Sequence, residues 1–188
     1  VTIPDSVTTI GESAFDWCTS LASVTIGDSV TTIGDYAFRG CDSLTSVTIP
    51  DRVKTIGYEA FRDCDSLASV TIGNSVTTIG DGAFSWCGSI TSVTIGDSVT
   101  TIGVDAFRSC DLTSVTIPDS VTTIGNGAFY NCYSLATVYC KPTTPPTGGS
   151  DMFYNNASGR KIYVPAGSAH AYKEKEYWSM YADYIFAE

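Results

Sequence analysis

Residues 21–43 read LASVTIGDSVTTIGDYAFRGCDS, and residues 44–66 repeat them as LTSVTIPDRVKTIGYEAFRDCDS. Self-similarity at a fixed period is the signature of a repeat architecture. Outward from this pair, Val-Thr-Ile begins at Val1, Val24, Val47, Val70, Val93 and Val115. The step is 23 residues four times and then 22, where CDLTS lacks the Ser of CDSLTS. A phenylalanine column keeps the step (Phe15, Phe38, Phe61, Phe84, Phe107, Phe129), as does a cysteine column (Cys18, Cys41, Cys64, Cys87, Cys110, Cys132). Columns that start at Val7, Ile10, Gly11, Ala14 and Leu21 are equally regular. Six units fill residues 1–137.

The apolar spacing predicts the shape of one unit. Val24-Thr25-Ile26 alternates with the period of a short strand, two side chains inward and Thr25 outward. Gly27 or its Pro equivalents end the strand, and Asp-Ser makes a turn. Val30 and Ile33 bury a second short extended piece, closed by Gly34. Ala37, Phe38 and Cys41, at i, i+1 and i+4, suit one helical or 3₁₀ turn packed inward. No single unit buries these residues alone, so the units stack into a solenoid. Each coil adds ~4.8 Å along the strand-pairing direction, and seven or eight coils make a rod.

Composition narrows the function. The chain has 188 residues, 10 Lys+Arg against 20 Asp+Glu, one His and seven Cys. A net charge of −10 argues against nucleic acid, whose binding draws most of its affinity from clustered Lys and Arg. The charge is uneven: residues 1–137 hold 15 acidic and 5 basic residues, and 138–188 hold 5 of each. No run of ~20 apolar residues spans a bilayer. The chain begins mid-pattern at Val1, with neither an initiator Met nor a signal peptide, and without an N-terminal cap, so further repeats are expected upstream.

The unit resembles the BspA-like class of leucine-rich repeats, a 23-residue form found in bacterial surface proteins and some protist ones; VTIPDSVTTIGESAFDWC, residues 1–18, is close to its consensus. The tail adds to the likeness. Val138-Tyr139-Cys140 starts a degenerate seventh repeat with the insertion KPTTPPTGGS, Phe153 takes the phenylalanine column, and Ile162-Tyr163-Val164 supplies a last strand within residues 138–165. Residues 166–188 look like the family's C-terminal cap, with Ser168 as helix N-cap and aromatics at Tyr172, Tyr177, Trp178 and Tyr181. A cap is physically needed, because a bare last coil would expose apolar side chains and open strand edges. The resemblance implies a leucine-rich-repeat solenoid: short parallel strands stacked into a right-handed superhelix, a helical or 3₁₀ turn per repeat, and a C-terminal helical cap.

Several columns invite chemistry. Six cysteines in a line do not converge tetrahedrally as zinc ligands do, and side chains stacked in parallel point alike rather than at each other, against disulfides. The expectation is a buried, reduced ladder, with Cys140 also in the core. The column Asp5, Asp28, Asp51, Asn74, Asp97, Asp119 reads either as a calcium ladder or as turn aspartates bonding their own backbone. Asn74 breaks the column and favours the turn. His170, the single histidine, has no G-x-S-x-G nucleophile elbow to serve, and phosphate-loop and dinucleotide motifs are absent. No enzyme activity, cofactor or metal is expected.

The variable columns are the candidates for binding. One and two residues after the phenylalanines come Trp17, Arg39, Arg62, Trp86, Arg108 and Tyr130, types that dominate interface hot spots. The competing reading folds Trp17 and Trp86 back over the turn as partial core. Outward strand positions instead repeat Ser-x-Thr. The leading expectation is a non-enzymatic, cell-surface or secreted adhesion module whose partner is an extracellular or host-matrix protein. A structural spacer carrying other domains is the alternative, and a Ser/Thr ice-binding array a remote one. Oligomeric state stays open.

Overall fold

The computed structural model describes residues 1–188. In strand Ser46–Ile49, Val47 and Ile49 are buried while Ser46 and Thr48 are exposed, the alternation of an extended chain with one face on a core. Each such strand pairs in parallel with the same positions one coil on: Val47 with Val70, Val70 with Val93, Val115 with Val138, Val138 with Ile162. This first row runs as three hydrogen-bonded stretches, from Thr2–Ile3 to Thr25–Ile26, from Ser46–Ile49 to Ser92–Thr94, and from Ser114–Ile117 to Ile185–Ala187. The second row is one continuous six-stranded parallel sheet of two-residue strands, from Thr9–Ile10 to Thr123–Ile124. Thr147, in the Pro-rich insertion, bridges to Thr123 and carries this row into the seventh coil.

Glycine in the Thr-Ile-Gly triplet is demanded by this stacking. A β-carbon on Gly57 would stand 2.6 Å from the Asp35 nitrogen, and one on Gly80 would stand 2.5 Å from the Gly57 carbonyl oxygen. Only a residue without a side chain lets consecutive coils approach so closely.

The helical or 3₁₀ turn expected after the second strand takes another form. Tyr36 and Gly40 have left-handed backbone, φ 57° and 66°, and the same two positions are left-handed in each repeat. They divide the segment so that its N–H groups alternate. Ala37 and Arg39 donate to carbonyls three residues back, Gly34 and Tyr36, at 3.3 and 3.1 Å. Tyr36, Phe38 and Gly40 donate instead to Tyr58, Ala60 and Arg62 of the next coil, at 2.8, 2.7 and 2.8 Å. Half the donors close the turn and half knit the stack, so no helix can propagate.

Inside, seven phenylalanine rings from Phe15 to Phe153 stack face to face, centroids 5.0–5.4 Å apart. The cysteines run beside them, all seven as free thiols. Six are buried as expected, but Cys18 is exposed, because no coil lies against the outer side of the first repeat. The aspartates also differ from expectation. Asp28 N–H donates to Asp5 Oδ1 at 2.9 Å and Asn74 N–H to Asp51 Oδ1 at 2.8 Å. At Asp5 and Asp51 the side chain therefore holds the next coil's backbone rather than its own. Asn74 serves equally, its amide oxygen accepting from Asp97 N–H at 3.3 Å.

At the far end, helix Ala169–Glu174 and 3₁₀ helix Ser179–Tyr184 lead into strand Ile185–Ala187, which pairs in parallel with Lys161–Val164. Ser168 stands at the helix N-cap but makes no capping bond; its hydroxyl donates to the Thr143 carbonyl at 2.8 Å. Tyr172 Oη and Trp178 Nε1 likewise donate to the carbonyls of Pro142 and Pro146, both at 2.8 Å. No backbone N–H donates to those three carbonyls, and the tail satisfies them.

Candidate functional site

The segment after the second strand carries the variable columns along one edge of the rod. Trp17, Trp86 and Asn131 occupy its second left-handed position, with φ 55°, 62° and 59°. That backbone turns the side chain outward, and Trp17 and Trp86 are 57% and 47% exposed. Neither is core, yet neither is free. The Trp17 ring lies on Gly40 of the next coil, where a β-carbon would meet it at 2.5 Å. One ring face is packed and the rest meets solvent.

The arginines organise this edge into clusters. Arg39 is held by a two-point pair with Asp16, at 2.9 and 2.8 Å, and its guanidinium lies 4.5 Å from the Tyr36 ring centre and 5.9 Å from that of Trp17. The bond to Asp16 raises the Arg39 pKa further. The arrangement recurs three coils on. Arg108 pairs with Asp105 at 3.3 Å and lies 4.8 Å from the Tyr130 ring centre and 5.8 Å from that of Trp86. Arg62, between the clusters, pairs with Glu59 at 2.7 Å and sits 3.2 Å from Asp63. Burial pushes the Asp63 carboxyl up, and Arg62 opposes the shift. Thus Trp86, Arg108 and Tyr130 come together, Trp17 and Arg39 form a second group, and Arg62 lines a cleft with Trp86 and Arg108. Stacked, paired guanidiniums are pre-organised donors, so a partner loses little side-chain entropy in meeting them.

Three contributions escape a reading of the columns. Tyr36 and Asp16 complete the first cluster, and Glu59 anchors Arg62 while itself only 8% exposed. Tyr154 stacks on Tyr130 at 5.2 Å, prolonging the aromatic edge. The outward sheet face, Ser and Thr through six coils, turns aromatic at Tyr139, Tyr163 and Phe186, whose ring centres lie 5.4 and 6.2 Å apart. Val138-Tyr139-Cys140 and Ile162-Tyr163-Val164 carried that signal at the Thr position.

His170 lies on the outer side of the tail helix, 3.4 Å from Glu174, and burial pushes the Cys132 thiol up to about 12. No three His, Cys, Asp or Glu side chains gather as metal ligands, and no helix is long and apolar enough to cross a membrane.

The sequence model of the family described as BspA type leucine rich repeat region matches residues 1–111 and 100–178. No curated protein matches the chain. Among solved structures, the chain is similar to a leucine-rich repeat protein of Treponema pallidum, with 30% identity, TM-score 0.79, and coverage of 94% of this chain and 85% of that one. It is similar to a leucine-rich cell surface protein of Faecalibacterium prausnitzii at 33% identity and TM-score 0.68, covering 88% of this chain and 54% of that one. A leucine-rich repeat protein of Bacteroides ovatus is 32% identical, with TM-score 0.65 and 87% and 48% covered. The chain thus spans about half the length of the latter two.

Proposed function

The chain belongs to the BspA-type leucine-rich repeat family, and from that premise we propose that it is a non-enzymatic binding segment of a bacterial surface or secreted protein, adhering to an extracellular protein. One observation carries the reading: a rigid, regular stack presents irregular Trp, Tyr and Arg side chains on a single edge. Trp17 with Arg39 and Trp86 with Arg108 stand three coils apart, ~14 Å at one strand spacing per coil. Large aromatic faces and forked donors supply area and direction that small hydroxyls cannot. The family likeness to a protein described as a cell surface protein supports the location. The net charge of −10 favours a partner with basic patches and an association that weakens with salt. The aromatic residues at Tyr139, Tyr163 and Phe186 interrupt the Ser/Thr rows an ice lattice would need.

The test is a panel of extracellular-matrix proteins on a biosensor, followed by variants against whichever binds. Trp86→Ala or Arg108→Ala is expected to weaken binding about tenfold or more, a hot-spot loss above about 1 kcal/mol. A Thr71→Ala/Thr94→Ala control on the sheet face should bind as the native chain. Loss confined to the threonine control would move the binding face to the sheet. Failure of every partner at all salt concentrations would favour the spacer.

A further inference from the structure

We infer that the cleft on the variable edge between the third and fifth coils is a carbohydrate subsite that holds one uncharged sugar ring, so that the glycan of a glycosylated partner is what it grips. This rests on the binding reading above and names a ligand class for the same edge.

The cleft, ≈ 450 Å³, is lined by residues of the third, fourth and fifth coils. The fourth coil supplies a low floor, Gly82 and Ser85. The flanking coils supply two ion pairs, Glu59 with Arg62 and Asp105 with Arg108. A β-carbon on Gly82 would stand 3.0 Å from Glu59 Cγ and 3.6 Å from Ser85 Oγ, so the glycine keeps the floor open. The two pairs lie two coils apart, ~10 Å at one strand spacing per coil, and close the cleft along the rod. A compact ring matches that spacing.

Its polar groups are unusual for this protein. Glu59 and Ser85, 8% and 4% exposed, are two of the four buried polar or charged side chains in the chain. The Arg108 Nε is buried without a hydrogen-bond partner, whereas that of Arg62 stands 3.2 Å from the Asp63 carboxylate. A buried polar atom is costly unless paired, which singles out the Arg108 guanidinium as the under-satisfied donor of the cleft. Trp86 and Tyr58, 47% and 42% exposed, add aromatic surface at the rim. The charges nearly cancel: each guanidinium already has its carboxylate, and Asp81 adds one more acid whose Oδ1 accepts from Val104 N–H at 2.7 Å. No unpaired cation is left for a sulfate, phosphate or carboxylate. A sugar ring answers this arrangement, with an apolar C–H face for an aromatic side chain and a rim of hydroxyls that both donate and accept. The volume lies within the ~300–1,000 Å³ of small-molecule sites.

The probe is a panel of methyl glycosides of the neutral hexoses and N-acetylhexosamines, titrated into the native chain and read by NMR. Three tryptophans give three indole N–H signals, assigned by single Trp→Phe variants. At least one glycoside should move the Trp86 signal saturably in the millimolar range and leave that of buried Trp178 still. Gly82→Asn, a residue that tolerates left-handed backbone, should fill the floor and weaken the glycoside about tenfold or more, the effect of losing a buried polar contact. Arg108→Gln should do the same should the first variant unfold, and Thr71→Ala should change nothing. The assignment is overturned by a panel in which no glycoside moves Trp86 at tens of millimolar, or by undiminished binding to a folded Gly82→Asn chain. A partner protein retained equally with and without its glycans would also remove the sugar while leaving the adhesion reading intact. A glycoside that binds while no glycoprotein is retained would do the reverse.

Discussion

A thiol in this protein is a hydrogen-bond donor before it is an apolar filler. Cys41, Cys64, Cys87, Cys110 and Cys132 each place Sγ 2.9–3.3 Å from the carbonyl oxygen of the phenylalanine one coil back. The oxygens of Phe15, Phe38 and Phe107 already accept from their own coil, Phe38 from Cys41 N–H at 3.3 Å, whereas those of Phe61 and Phe84 take no backbone N–H. The thiol thus fills a second lone pair on three of these oxygens and supplies the hydrogen bond that the other two would otherwise lack. Asn156 shows that the donor is what the column needs. It stands in the cysteine position of the seventh repeat, and its Nδ2 reaches the Phe129 carbonyl at 2.8 Å. The substitution strands the amide oxygen, which is buried without a partner. Burial is also the first cause raising the pKa of Cys87, Cys110, Cys132 and Cys140. Alkylation of the native chain near pH 8 should accordingly label one thiol of seven, Cys18, and denaturation without reductant should release the other six, counted by mass. Recovery of a single thiol after denaturation would mean disulfides and overturn the ladder. The same shifts set an alkaline limit. With folded values above the ordinary 9.0, Cys132 reaching about 12, the unfolded chain loses protons first as pH rises. The stabilisation is whole below pH 9 and is lost between the two values, by up to about 1.4 kcal/mol per pH unit for each such thiol. A urea midpoint that stays flat from pH 8 to 11 would contradict this.

One coil is the element here, and its stability comes from the phenylalanine stack. Phe84 is fully buried between Phe61 and Phe107, centroids 5.2 and 5.3 Å away. Phe84→Ala should cost about 3–5 kcal/mol, the usual loss for an emptied aromatic site. Exposed Thr94, on the outer strand face, should cost within about 0.5 kcal/mol as alanine. Equal urea midpoint shifts for the two would refute the inward and outward assignment. That assignment was legible because strand alternation and repeat spacing both act on side-chain polarity, as at Ser46-Val47-Thr48-Ile49. The left-handed turns were not legible, because their column reads Trp17, Gly40, Asp63, Trp86, Ser109 and Asn131. Gly, Asn and Asp hint at positive φ, but the tryptophans, each at a backbone cost of ~1–2 kcal/mol, hide the pattern. The site was half legible for a related reason. Trp86, Arg108 and Tyr130 announce themselves by type, whereas Glu59 and Gly82 matter only through the neighbours that stacking gives them. Strand Ile185–Ala187 keeps the 23-residue step from Ile162, but the helical tail between them lacks the columns that mark the other coils, so the step goes unnoticed.

At the scale of the rod, each coil touches only its neighbours, so stability is a sum of local terms and damage should stay near its source. The tail provides the sharpest case. Trp178 is fully buried, lies 4.8 Å from Tyr172 and 5.8 Å from Phe153 between ring centres, and donates to the Pro146 carbonyl at 2.8 Å. It thus joins three pieces that share no sequence spacing: the insertion, the last ring of the phenylalanine stack and the helical tail. Trp178→Ala should cost about 3–5 kcal/mol locally, beyond what residues 166–188 can withstand on their own contacts. Undocking would bare Phe153 and the open edge of strand Lys161–Val164, now covered by Ile185–Ala187. Hydrogen exchange read by mass should then show protection lost over residues 142–188 while peptides from residues 44–110 keep native rates, and sedimentation should reveal association that grows with concentration through the bared edge. Phe84→Ala is the internal contrast, its loss of protection centred on the coils either side of residue 84. If Trp178→Ala instead lowers protection evenly from the first coil to the last, the rod unfolds as one cooperative unit, and the nearest-neighbour description of its stability fails.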